Sequence, residues 1–95
     1  MKEFNVHFTD HRGRTRSRYF YAPSLEEAQE QFKATVKVAT GENWRECGDM
    51  SSATYKDYET GEILTEDMLY AKYLEHYPTK EITFVSFIGE YAEKI

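Results

Sequence analysis

Apolar and polar positions alternate most cleanly in the first twenty-one residues. Phe4, Val6 and Phe8 occupy every second position of Phe4–Thr9, and Arg14, Arg16 and Arg18 every second position of Arg14–Tyr21. A period of two is the mark of a strand with one face buried. Between the two segments, Asp10-His11-Arg12-Gly13 suits a type I turn closed by a left-handed glycine, so the pair reads as a β-hairpin. With a four-residue connection Phe8 faces Thr15, Val6 faces Ser17 and Phe4 faces Tyr19. The expected hairpin is then apolar beneath, with the arginines on the opposite face beside Asn5 and His7.

Periodicity changes after Ala22-Pro23. Leu25, Ala28, Phe32, Val36 and Ala39 recur at steps of three and four, which predicts a helix stopped at Gly41. Ser24 with Glu27 three positions on has the spacing of a capping box. Alternation in Thr35-Val36-Lys37-Val38 predicts a last turn prone to fray. Residues 42–52 mix turn formers with one large ring and read as a loop, Trp44 plugging the end of the core. Residues 53–57 and 62–64 read as strands around the turn Tyr58-Glu59-Thr60-Gly61. Thr65 caps a second helix with Leu69, Tyr70, Tyr73, Leu74 and Tyr77 on its apolar face and Pro78 at its end. Ile82–Ile88 is apolar on both sides of its alternation and predicts a central strand, followed by a short helical or frayed tail. The expected fold is α+β: one domain over residues 1–95, in β-β-α-β-β-α-β order, with a mostly antiparallel sheet and two helices on one face.

Charge sharpens this picture. Residues 1–21 hold five bases and two acids, a net of +3, whereas residues 22–95 hold seven bases and fifteen acids, a net of -8. A total of -5 disfavours binding of nucleic acid or anionic membrane by the whole surface. No apolar run approaches the roughly 18 residues of a membrane span, and Met1-Lys2-Glu3 leads into a strand rather than a signal sequence. The single Cys47 forms no internal disulfide and fits a reducing, cytoplasmic setting.

Candidate chemistry follows from the arginines. Guanidinium forks take carboxylate or phosphate bidentately, and alternate strand positions lie about 6.6 to 7 Å apart, close to the spacing of phosphates along an extended strand. Arg12, Arg14, Arg16 and Arg18 with His7 form the expected binding surface, and Tyr55 and Tyr58 are expected to join it as partly exposed rings. Such arginines also keep a solvent-facing strand soluble and resist edge pairing, or they meet carboxylates of the protein's own acidic remainder. His7, His11, His76 and Cys47 lack the spacing of a metal site, no base is placed to activate Cys47, and Glu26-Glu27 and Glu66-Asp67 are explained by helix first turns. Glycines 13, 41, 48, 61 and 89 form no phosphate loop. The acids are too scattered to imitate a phosphate backbone. No metal, cofactor or catalytic group is expected.

These readings point to a non-enzymatic protein-binding module, with binding of nucleic acid or a nucleotide-like anion through residues 12–18 as the alternative and a homodimer left open. In general character it is similar to the small, acidic, tyrosine-rich accessory or inhibitory proteins of phages and mobile elements. That likeness is compositional and names no family.

Overall fold

The computed structural model describes residues 1–77 and 79–95. The hairpin forms from β1 (Lys2–Asp10) and β2 (Thr15–Ala22), paired antiparallel. Its register differs by one residue from the expectation: Thr9 faces Thr15, Phe8 faces Arg16, Val6 faces Arg18 and Phe4 faces Phe20. The cause lies in the Asp10 side chain. Its Oδ1 accepts the backbone N–H of both Arg12 and Arg14, each at 2.9 Å, while the Asp10 N–H donates to the Arg14 carbonyl at 2.8 Å. Asp10 and Arg14 therefore close the turn, and only His11, Arg12 and Gly13 (φ +80°) remain in the loop. A slip of one residue moves every side chain to the other face. Arg14, Arg16 and Arg18 accordingly share the face of Phe4, Val6 and Phe8, and Asn5 and His7 lie opposite.

Helix α1 (Leu25–Thr35) covers that apolar face. Ser24 Oγ accepts the Glu27 N–H at 3.4 Å, as its spacing predicts. The reciprocal half of the box is absent: Glu27 Oε2 instead accepts the Tyr70 hydroxyl at 2.8 Å, tying α1 to the second half of the chain. The helix ends at Thr35 rather than running to Ala39, because Val36 turns extended (φ -126°, ψ 132°) and the β-branched run enters the next strand. Ala28 and Phe32 are buried, whereas Leu25, at one end of the expected stripe, is exposed. Phe32 packs edge-on against Phe8, Phe20 and Trp44, with ring centroids 5.1, 6.0 and 5.5 Å away.

Residues 38–49, mostly expected to form a loop, make β3 (Val38–Asp49), which pairs antiparallel with β1 and completes a sheet of order β2-β1-β3. As an edge strand β3 is exposed on most of its positions, so it carries no apolar period to read. Its pairing shifts register at Glu3/Phe4, Phe8/Thr9 and Thr9/Asp10, irregularities that blunt an otherwise long free edge. Trp44 packs against Phe20 and Phe32 from this strand.

A second antiparallel sheet, order β5-β4-β6, follows from β4 (Thr54–Asp57), β5 (Ile63–Thr65) and β6 (Ala92–Lys94). Thr65 caps α2 (Glu66–His76) by accepting the Met68 N–H at 3.2 Å. Leu69, Tyr70 and Tyr73 are buried, but Leu74 is exposed. The expectation that Pro78 ends this helix lies outside the described residues. The predicted central strand is instead α3 (Phe84–Tyr91), capped by Thr83, whose hydroxyl accepts the Ser86 N–H at 3.0 Å. Phe84 and Phe87 thereby share one buried face with Tyr73 rather than pointing apart. A short aromatic run fits either period, and the cap decides it.

The described residues form a single α+β domain with two three-stranded antiparallel sheets and three helices, in place of one sheet and two helices. Each sheet has its own apolar cluster, Phe4 to Phe32 in one and Tyr55 to Ala92 in the other. Buried Gln31 joins them, donating to the Tyr21 carbonyl at 3.0 Å and the Tyr70 hydroxyl at 3.4 Å. The molecule is elongated, 42 × 26 × 19 Å.

Candidate functional site

The second cluster packs against the Tyr21 end of the first sheet, where Tyr21 and Phe84 meet at 6.2 Å. The hairpin turn therefore projects at the other end. On its helix side the strands form two mixed rungs, Arg18–Val6–Trp44 and Arg16–Phe8–Glu42. Helix α1 stops at Thr35, so beyond Phe32 the outer part of this face is flanked by the extended Val36 and by Lys37. A cleft of about 270 Å³ lies there, lined by Phe8, Asp10, His11, Arg16, Arg18 and Lys37 among others.

Asp10 organises the cations. Its Oδ2 lies 3.1 Å from Arg14 Nε and 3.9 Å from Arg16 Nη1. The backbone N–H of Arg14, above all, holds its carboxyl below the usual range, with the Arg12 N–H and the Arg14 side chain adding to the effect against the cost of burial. Arg18 is half-buried, and its Nε is buried without a hydrogen-bond partner. Arg16 and Arg18 also line the cleft beside the last residues of α1, where partial negative charge on terminal carbonyls favours cations. Over residues 10–18 and 35–37, five bases (Arg12, Arg14, Arg16, Arg18 and Lys37) stand against one acid, a net of +4.

The opposite face of the same strands is polar. Register places Tyr19, Asn5 and Arg45 on one rung, Ser17, His7 and Asn43 on the next, and Thr15, Thr9 and Thr40 on the third. Asn5 is 3% exposed, its Nδ2 donating to Ser17 Oγ at 2.9 Å and the Arg18 carbonyl at 3.3 Å, while Tyr19 is 50% exposed. A concavity of about 450 Å³ opens over the first two rungs, and one of about 310 Å³ continues over the third.

Of the residues singled out from sequence, Arg12, Arg14, Arg16 and Arg18 are thus brought together, but His7 is on the reverse of the sheet. Tyr55 and Tyr58 join neither group. Tyr55 is buried in the second cluster, where its hydroxyl donates to Glu66 Oε1 at 3.2 Å, and Tyr58 is exposed at the second sheet's turn. Burial pushes the Tyr55 hydroxyl up, with the adjacent Glu66 adding to the shift. The polar rungs had no sequence signal as a site. Arg45 and Asn43 sit on the strand that resembled a loop, and Asn5, Ser17 and Tyr19 converge with His7 only once the register is known. Cys47 is free and exposed on the bulged edge. Among the described residues no cluster of three or more His, Cys, Asp or Glu side chains is arranged to hold a metal, and no helix is long and apolar enough to cross a membrane.

No protein-family model matches this chain, and no curated protein or solved structure is detectably similar to it.

Proposed function

We propose that this is a non-enzymatic binding protein that docks a larger protein through the projecting end of its first hairpin, where Arg12, Arg14, Arg16 and Arg18 meet carboxylates of the partner. The observation that carries this reading is the net +4 gathered beyond the end of α1 in a chain whose net charge is -5. Complementary charge of this kind fixes partner choice and speeds encounter. A carboxylate-rich protein suits the cluster better than an extended phosphate strand, because Arg14 and Arg16 lean onto one aspartate instead of standing as an evenly spaced row. In this reading the protein acts in the cytoplasm, with Cys47 reduced, as a stoichiometric accessory or inhibitory factor of the kind carried by phages and mobile elements.

The test is affinity capture from the native cell with wild-type protein and with Arg14, Arg16 and Arg18 all changed to Ala, followed by reconstitution with the purified captured protein. A partner retained by wild type and lost by the triple variant, with complex formation weakened by added salt, is expected. An unchanged set of captured proteins with the folded triple variant refutes the reading.

A further inference from the structure

The uncovered polar face of the first sheet is independent of the arginine cluster and has a different chemistry. None of the nine residues on its three rungs is acidic, and none is aliphatic apart from the threonine methyls. Glu42 borders the outer concavity, but its carboxylate accepts the Trp44 Nε1–H at 3.3 Å, a bond to a residue of the helix-side rungs. A protein partner would find little apolar surface here to bury, whereas interface cores depend on it. What the face offers is ring surface, amides and one guanidinium.

We propose that this face is a platform for single-stranded nucleic acid, on which Tyr19 and His7 stack two bases and Arg45 holds a phosphate. Tyr19 lies opposite Asn5, and His7 opposite Ser17, so the two rings are diagonal neighbours on adjacent strands. Diagonal positions are about 7 to 8 Å apart, roughly twice the 3.4 Å rise per base of a stacked strand. The spacing suits bases splayed apart, each against its own ring, which is how unpaired strands are held on open sheets. Arg45 shares the Tyr19 rung across the central strand and supplies the positive charge. Asn43 presents an amide to base edges beside His7, while Asn5 is pinned below by its bonds to β2 and keeps the floor flat. Duplexes are excluded, since their bases have no free face to stack.

Fluorescence anisotropy with labelled oligothymidylate and oligouridylate, using the whole chain at low salt, tests this. Saturable binding is expected to both, with none to a duplex of the same length. Tyr19→Ala and His7→Ala should each weaken it by about five- to a hundredfold, while Tyr19→Phe retains it. Arg45 is the main phosphate contact, so the logarithmic salt slope should stay near about -0.7 and approach zero in Arg45→Ala. Tyr19, His7 and Arg45 are exposed, so these variants should fold, as circular dichroism will verify. Absence of any anisotropy change overturns the proposal. So does binding that survives Tyr19→Ala but disappears when Arg14, Arg16 and Arg18 are replaced. Neither result touches the protein-docking reading, which stands on the triple-arginine capture alone.

Discussion

Replacing Phe32 tests how the first sheet is held. Phe32 is 1% exposed and is the ring through which α1 engages Phe8, Phe20 and Trp44. Phe32→Ala removes a whole buried ring and should cost about 3 to 5 kcal/mol, a large share of the roughly 5 to 15 kcal/mol available to a domain of this kind. Phe32→Leu is more discriminating, because it keeps most of the apolar volume and removes mainly the edge-to-ring geometry. Three aromatic pairs at about 0.5 to 1.5 kcal/mol each set an upper bound near 4.5 kcal/mol; pairs sharing one ring are not additive, so about 1.5 to 3 kcal/mol is expected. Trp44, the only tryptophan, is the natural probe because it packs edge-to-face with Phe32 itself. Urea unfolding followed by its emission should show a lower midpoint at an unchanged slope. Native emission should shift to the red as Trp44 loses its neighbour. A Phe32→Leu cost within about 0.5 kcal/mol, the range of an ordinary surface change, would refute the idea that these contacts fasten the helix to the sheet.

The same substitution should have opposite signs at two glycines with open space around them. Gly13→Ala forces a side chain to φ +80° and should destabilise by about 1 to 2 kcal/mol, whereas Gly89→Ala, within α3, should stabilise by about 0.5 to 1 kcal/mol; thermal unfolding of the pair decides it. Glu66 is 1% exposed, with Oε2 lacking a hydrogen bond and the Met1 α-amino group 4.0 Å away. Desolvation raises its pKa above 4.5, outweighing the Tyr55 hydroxyl and the amino group. A raised carboxyl penalises the ionised folded state, so this penalty is fully present at neutral pH and fades as the pH falls towards 4.5. Glu66→Gln should therefore match or exceed wild type in melting temperature at neutral pH, with the difference closing on acidification; a variant that is markedly less stable at neutral pH would mean the ion pair outweighs the burial cost.

Several single-residue signals in the sequence were reliable, although Gly41, read as a helix stop, lies within β3. Ser24 and Thr65 cap the helices their spacing predicts, and Gly13 and Gly61 take the positive φ their turns need. The readings that failed depended on competition between near-equal options. Whether the first turn holds three residues or four rests on two bonds to Asp10 Oδ1, and that choice alone decides which face carries the arginines. β3 is exposed on both sides at most of its positions, so a period-two pattern never develops. Phe84 and Phe87 satisfy a helix or a strand until Thr83 is seen to cap. The arginine cluster was therefore legible as a group of residues but not as a place. The polar rungs were legible as neither, since a rung exists only across chain segments far apart in sequence.

The short reach of α1 has a further consequence. Past Phe8 the hairpin extends like a cantilever, anchored by Phe4, Phe8 and Phe20, and none of His11, Arg12, Gly13 and Arg14 belongs to either apolar cluster. If the hairpin docks a partner as proposed, exchanging residues 11–14 leaves the apolar clusters intact, so recognition could be retuned by substitution without endangering the architecture that carries it. A protein obliged to follow a changing target gains from keeping its contact residues and its foundations in separate parts of the chain.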